Sequence, residues 1–437
     1  MDMYQTTFDG LMKEVLIISY FYPPCTLTAA QRPAGWVKYL PQFGYKPIVI
    51  TRNWDVTLSK PEDQLKDAGS QLYIEKSETH EVHYLPYKAS LRDRLFNSKK
   101  SILKKCSKIF TFINGIGENF SNQFIPFGDF YDYAEHLIQK HTFTTIIITG
   151  NPFVQFRFGY LLSNKYHIPW IADYRDDWTT SEIIQPKGKF ESIIHRLQQQ
   201  SEQKWVGTAS MITSVSPVYT DRISQFVKVP GETILNGFDT LLPKIQQEDN
   251  NSFIIVYNGT LYDTQDVEGF IRSIIRCIDI FQDKITIQIQ FPGICYDPKQ
   301  ESRLNALIKG YESFFLLTPR IPKEDVIYLQ QKADLLLMLT HRGQKGIPSS
   351  KLYEYLSLQK PILCFPSDQD IVAETLLKTG VGYVIDTEDV LFDKLNEFML
   401  LKLNGRKIFN ETKEENLLPY SLSNQVSKLS LFLNQII

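Results

Sequence analysis

Short runs of apolar, largely β-branched residues recur along the chain, and between them lie longer stretches with apolar positions at helical spacing. Val15–Tyr20, Pro47–Thr51, Thr145–Thr149, Trp170–Tyr174 and Met211–Ser216 read as buried strands, with helical patterns at Arg32–Phe43, Tyr131–Lys140 and Phe153–Tyr166. A second series of strands starts at Phe253–Asn258 and continues through Ile285–Phe291, Phe314–Leu317, Asp334–Leu339, Pro361–Phe365 and Tyr383–Ile385. Strands that alternate with helices predict parallel sheets covered on both faces. Two such series predict two doubly wound α/β domains. The polar stretch Lys244–Ser252 is the linker expected between them, since it lacks apolar periodicity. Boundaries of 1–240 and 241–417 follow, with a terminal helix at about 418–437 expected to pack back on the first domain. In doubly wound folds ligands sit beyond the carboxyl ends of the strands, so two facing domains predict one cleft.

The segment Gly346–Leu363, GIPSSKLYEYLSLQKPIL, carries the most chemistry. A Gly/Pro/Ser turn leads into a helix, whose free first-turn N–H groups form an anion site. Lys351 and Glu354 are three apart and share one helical face. A phosphate cradle beside a cation and a hydroxyl-binding carboxylate suits a sugar nucleotide. A strand–helix–strand unit with a surface ion pair would show the same residues.

Composition removes several other readings. A net charge of −2 gives no general pull toward nucleic acid, and none is expected as a partner. Cys25, Cys106, Cys277, Cys295 and Cys364 are scattered without a C-x-x-C pair, which fits neither a disulfide framework nor a zinc site and suits a reducing, cytoplasmic setting. His80 and His83 lie in a polar stretch and read as solvated surface residues. Met1 to Gly10 is polar and shows no signal peptide, and no apolar stretch reaches spanning length. One stretch is both basic and amphipathic. In 99–113, Lys99, Lys100, Lys104, Lys105 and Lys108 accompany Ile102, Leu103, Ile109 and Phe110, which predicts a helix able to rest peripherally on an anionic membrane. A helix with a solvated basic face is the alternative.

Four stretches together resemble bacterial family 4-type glycosyltransferases. They are KEVLIISYFYPPCTLTAAQRPAGWVKYLPQFGYKPIVIT (Lys13 to Thr51), IPWIADYRDDWT (Ile168 to Thr179), ITSVSPVYTDRI followed by TILNGFD, and ADLLLMLTHRGQKGIPSSKLYEYLSLQKPIL. They stand in the family's order and span nearly the whole chain. The resemblance implies a GT-B fold, two Rossmann-like domains of which the second holds a nucleotide sugar and the first an acceptor. Glu354 matches the second glutamate of the family's E-x7-E motif, which implies a contact with the ribose hydroxyls; a carboxylate suits a vicinal diol. The first glutamate is replaced by Gly346, and amides near Gly346 and Ile347 are expected to take over part of its role.

The diphosphate calls for cations, for which Lys351, Arg320 and Arg342 are candidates beside Ser350 at the helix start. Asn258, Gly259 and Thr260 form a small polar turn that lets backbone approach a ligand. In the first domain Asp173, Arg175 and Asp176 follow a strand and are the expected catalytic group, with Asp173 or Asp176 touching the acceptor nucleophile or the transferred sugar; a structural Arg–Asp network is the alternative. Gly150, Asn151 and Thr26 are expected to line the acceptor cleft. Asp368-Gln369-Asp370 spells D-x-D but starts a helix, where aspartates cap N–H groups, so no metal and no other cofactor is expected.

The expected activity is transfer of a sugar from a nucleoside diphosphate donor, UDP by prior, to a hydroxyl of a glycan or lipid-linked acceptor, in surface polysaccharide or glycan synthesis. The resemblance implies retention of configuration. A nucleotide-sugar 2-epimerase-like isomerase and a non-catalytic partner subunit of the same fold are the alternatives.

Overall fold

In the computed structural model the chain is described at residues 12–56, 58, 60–98, 100–182, 186, 188–244, 251–347, 349–408 and 412–436. The polar start Met1 to Gly10, Lys99 and most of the expected linker (245–250) lie outside the described residues. The chain divides into unit 1, Met1–Leu235 with Leu422–Ile437, and unit 2, Asn236–Ser421.

Unit 1 is built on eight strands: β1 (Lys13–Ser19), β2 (Tyr45–Arg52), β3 (Tyr73–Lys76), β4 (Glu81–Leu85), β5 (Phe143–Gly150), β6 (Trp170–Tyr174), β7 (Met211–Ser214) and β8 (Gly231–Thr233). Their order is β3-β4-β2-β1-β5-β6-β7-β8. Neighbours run parallel except β3, which is antiparallel to β4. The central strands are apolar on both faces because both are covered. Leu16, Ile18, Ile48, Ile50, Ile146 and Ile148 enter one core cluster. Val15, Ile17, Val49 and Ile147 enter the opposite one, where Val426, Leu429 and Leu433 of the last helix, Leu422–Ile436, complete the packing.

Several details differ from expectation. The sheet is not purely parallel, because the short exposed β3 closes its edge. The stretch around His83 is a buried strand, not solvated surface: His83 is 2% exposed, with Nδ1 2.9 Å from the Tyr133 hydroxyl, and burial pushes its imidazole down to about 4. His80 sits in the preceding turn, beside Ser77. The strand starting at Met211 stops at Ser214, since the Ser216 side chain accepts the Tyr219 amide and caps the helix Pro217–Val227.

Unit 2 has six parallel strands, β9 (Ser252–Val256), β10 (Thr286–Phe291), β11 (Phe315–Leu317), β12 (Leu335–Leu339), β13 (Ile362–Phe365) and β14 (Gly382–Val384), in the order β11-β10-β9-β12-β13-β14. Successive strands run outward from β9 to one edge and then from β12 to the other. The strand order therefore reverses between β9 and β12, and in unit 1 between β1 and β5. A crevice opens at the carboxyl ends of such strand pairs.

Candidate functional site

At the unit 2 switch point β9 is followed by Tyr257-Asn258-Gly259-Thr260 and β12 by Thr340-His341. Gly259 has φ +88°, a left-handed conformation that favours glycine, and its amide donates to the Pro292 carbonyl at 2.9 Å. The helix Ser350–Leu358 starts opposite this turn, and the side chain of its N-cap residue Ser349 makes no capping hydrogen bond. Lys351 reaches back from that first turn. Its Nζ donates to the Tyr257 hydroxyl at 2.7 Å and to the Thr260 carbonyl at 3.2 Å, and lies 4.2 Å from the Tyr257 ring centre. Burial pushes the Lys351 ammonium down to about 7, with Glu354 pulling the other way. An anion arriving there meets a lysine that pairs with no carboxylate among the described residues.

Glu354 lies one turn further along. Its Oε1 accepts from Asn258 Nδ2 at 2.9 Å and from Gln330 Nε2 at 2.6 Å. Among the described residues no donor reaches Oε2, which is left to accept from a ligand. The Tyr355 hydroxyl accepts the Asn258 amide at 3.0 Å, tying the turn to the same helix. Ser350, Lys351, Glu354, Asn258, Gly259 and Thr260 are thus brought together.

The other donor-side candidates fall differently. Arg342 is exposed, pairs with Asp266 at 3.7 Å and donates to the Asp386 carbonyl at 3.4 Å, which puts it on the rim. Arg320 follows edge strand β11, two strands from the switch point, with its guanidinium 5.1 Å from the Tyr296 ring centre. The Gly346 amide is not open to a sugar, a correction to the expectation: it donates to the Asp370 carboxylate. Ile347 is half-buried beside it. Asp368 accepts the Val372 and Ala373 amides at 2.9 Å each, the capping role expected of the D-x-D segment. Among the described residues no group of three or more His, Cys, Asp or Glu is placed to hold a metal ion.

Sequence reasoning missed His341, Tyr257 and Gln330. His341 follows β12, with Nδ1 2.6 Å from Thr264 Oγ1 and its ring 5.6 Å from the Tyr262 ring. Burial, then the neighbouring Lys351 charge, push its imidazole down, while Asp368 opposes. Its signal was a lone polar aromatic directly after an all-apolar strand. Gln330 is fully buried in the last turn of the helix Lys323–Lys332, and a buried amide implies a polar partner.

In unit 1 the Asp173 expectation is corrected. Asp173 is fully buried, and its carboxylate is held by Arg32 and Thr213. Arg32 Nη2 donates at 2.7 Å and Nε at 3.1 Å, and Thr213 Oγ1 donates at 2.7 Å. Arg32 also donates to the carbonyls of Ile234 and Leu235, at 2.7 and 3.2 Å. This is the structural Arg–Asp network, with Arg32 the partner that sequence reasoning did not single out.

Arg175 and Asp176 lie just beyond β6 and pair with each other at 2.7 Å. Asp176 is exposed, and the half-buried Arg175 keeps a buried Nε without a partner among the described residues. The Arg175 amide donates to the Gly150 carbonyl at 3.3 Å, so the end of β6 lies against the Gly150 end of β5, one strand from the switch point between β1 and β5. Exposed Thr26 sits in the loop after β1.

No protein-family model matches the chain, and no curated protein matches it. Solved structures do. The sucrose-phosphate synthase of Thermosynechococcus elongatus is 14% identical, with 97% of this chain and 99% of that chain covered and a TM-score of 0.60. A trehalose-6-phosphate synthase, OtsA, is 10% identical over 97% and 99%, with a TM-score of 0.65. An E. coli protein described as trehalose-6-phosphate bound with UDP-2-fluoro glucose is 9% identical over 97% and 100%, with a TM-score of 0.62. At these identities the likeness speaks for the fold, and the fold is GT-B.

Proposed function

We propose that the chain is a glycosyltransferase that holds a nucleoside diphosphate sugar in unit 2 and moves the sugar to a hydroxyl acceptor held by unit 1. The observation that carries this reading is the convergence of an unspent carboxylate oxygen on Glu354, the Lys351 ammonium and an uncapped helix start on one glycine turn at the switch point. Each part matches one part of the donor. Glu354 Oε2 accepts from the ribose diol, and Lys351 with the first-turn amides meets the diphosphate. As the bond between the anomeric carbon and the phosphate oxygen breaks, its electron pair passes to the diphosphate, and Lys351 stabilises the added charge. The acceptor oxygen forms the new bond and releases its proton. In this reading the protein's own cations, with no metal, meet the leaving group.

UDP is favoured by the structural neighbour solved with UDP-2-fluoro glucose. The family 4-type motifs support retention, a hexosyl or related sugar, and a glycan or lipid-linked acceptor of surface polysaccharide synthesis at the cytoplasmic face. Arg175, Asp176, Asn151 and Thr26, at the carboxyl ends of β6, β5 and β1, are the acceptor-side groups. A thermal-shift screen over nucleotide sugars, followed by nucleoside diphosphate release with and without acceptors, tests the reading. Donor binding by Glu354→Ala equal to that of the parent protein would remove the ribose assignment.

His341 favours a second reading, a nucleotide-sugar isomerase, because it places an acid/base group next to Lys351. Sugar isomerisation without acceptor would select it.

A further inference from the structure

Most of the large apolar side chains exposed on unit 1 belong to one layer of helices. Leu91 and Phe96 lie on the helix Leu91–Phe96; Ile102, Ile109 and Ile113 on Ser101–Gly117; Phe120 and Phe124 just beyond it; and Phe190 and Ile193 on the first turns of Lys189–Val206. Ile102 is 75% exposed and Phe190 70%. Monomeric proteins rarely leave so much apolar surface in one place without a use for it.

The layer is rigidly built. Gly115 lets the two long helices approach closely, since a Cβ there would stand 3.1 Å from Ile194 Cδ1. Phe112 meets Phe190 edge-on at 5.3 Å, and Ser201 Oγ donates to Asn119 Oδ1 at 2.7 Å. The layer also has a fixed place. Arg157, at the start of the helix that follows β5, donates to the carbonyls of Asn119 and Phe120 at 3.1 and 2.7 Å. The helices Leu91–Phe96 and Lys189–Val206 follow β4 and β6. The layer is therefore anchored on the carboxyl edge of the sheet, the edge that carries Gly150, Asn151 and Arg175.

Its charge indicates what covers it. Residues 91–117 hold seven Lys or Arg against one Asp, in a chain whose net charge is −2. That Asp93 is buried and paired with Arg92 at 2.6 Å, so the exposed charge is basic. Ile102, Ile109 and Ile113 form one stripe at helical spacing; exposed Lys105 and then Lys108 follow it around the helix, and exposed Lys104 lies on the far flank. Exposed Glu191 on the neighbouring helix and half-buried Glu118, at the end of Ser101–Gly117 and near Arg92, are acidic groups beside it. A second copy would bring the same basic face against itself. A bilayer of anionic lipids offers hydrocarbon for the isoleucines and phenylalanines and negative headgroups for the lysines.

We propose that this helical layer, extending the 99–113 stretch to three helices, is a docking platform for an anionic membrane surface. It seats the acceptor edge of unit 1 at the lipid. The binding stands on this surface alone; only the identity of what it brings within reach, a lipid-linked acceptor, rests on the transferase reading.

Co-sedimentation of the full chain with phosphatidylglycerol-containing and pure phosphatidylcholine vesicles tests it. The parent protein is expected to bind the anionic vesicles, more weakly as salt rises. Lys105→Gln with Lys108→Gln should weaken partitioning about 30-fold, at about fivefold per lysine near a charged surface. Ile102→Ser with Ile109→Ser should weaken it about tenfold by removing inserted apolar area. These positions are exposed, so both variants should keep the parent melting temperature and the nucleotide-induced thermal shift of unit 2. Absence of parent binding, equal binding to neutral vesicles, or unchanged binding by both variants would overturn the proposal. A concentration-dependent dimer in sedimentation velocity that the isoleucine variant abolishes would overturn it too, by assigning the surface to a second copy.

Discussion

Asp173→Ala separates a structural from a catalytic carboxylate. In the parent protein the Asp173 side chain is fully buried and accepts from Arg32 Nε and Nη2 and from Thr213 Oγ1. Removing it leaves a guanidinium that is 3% exposed without its counter-charge. Breaking a buried pair from one side costs about 3–5 kcal/mol, because the remaining charge stays desolvated. Arg32 keeps two acceptors, the carbonyls of Ile234 and Leu235, and its contact with the Trp36 ring at 5.2 Å. The loss should therefore lie near the lower end, about 3 kcal/mol. For a unit of this size that corresponds to a fall of roughly 10 °C in the unit 1 melting transition. Calorimetry of the parent, Asp173→Ala and the double variant with Arg32→Met measures it. The double variant should recover part of the loss, since the orphaned charge is gone with its partner. A melting temperature within about 2 °C of the parent, together with a hundredfold loss of turnover, would refute the reasoning and return Asp173 to the acceptor site.

The remaining predictions concern protons and the donor. Lys351, pushed down to about 7, is half neutral near that pH in the empty site, and a bound diphosphate should re-protonate it. Donor affinity should then fall by up to about tenfold per pH unit above 7, with proton uptake at pH 8 seen by calorimetry in buffers of different ionisation heat; Lys351→Met should remove the slope. Glu354→Ala should weaken donor binding roughly ten- to a hundredfold, for loss of charge-assisted hydrogen bonds of about 1.5–3 kcal/mol, with an unchanged far-ultraviolet spectrum. Glu202 is buried and accepts from the Tyr174 hydroxyl at 2.9 Å and from Thr179, and burial pushes its carboxyl up to about 7. The native state therefore holds a proton that the unfolded chain releases near 4.5, and the stability from this group is lost as pH rises from there to 7, by about 3 kcal/mol. Glu202→Gln should flatten that part of the pH–stability curve measured by urea unfolding.

Much of the architecture was legible one residue after another. β1, β2, β5, β6, β9 and β12 contain continuous apolar runs because both sheet faces are covered, and such runs need no knowledge of partners to recognise. The helix Ser350–Leu358, with Lys351 and Glu354 on one face, was readable for the same reason, since three-residue spacing is a local property. β3 and β4 were not, because Glu81 and His83 break the apolar pattern and are accommodated only by neighbours such as Lys46 and Tyr133. Asp173 looked like a reactive acid at a strand end, and its partner Arg32 stands 141 positions earlier. Glu354 shares one oxygen between Asn258 and Gln330, which are 96 and 24 positions away. The Lys351 charge reaches His341 only because β12 ends where the β9 turn lies. Periodicity and spacing are local and determine which elements form and which side chains share a face. Which buried charge is neutralised, and which carboxylate oxygen is left for a ligand, depends on chain segments brought together by packing, and those are tertiary facts.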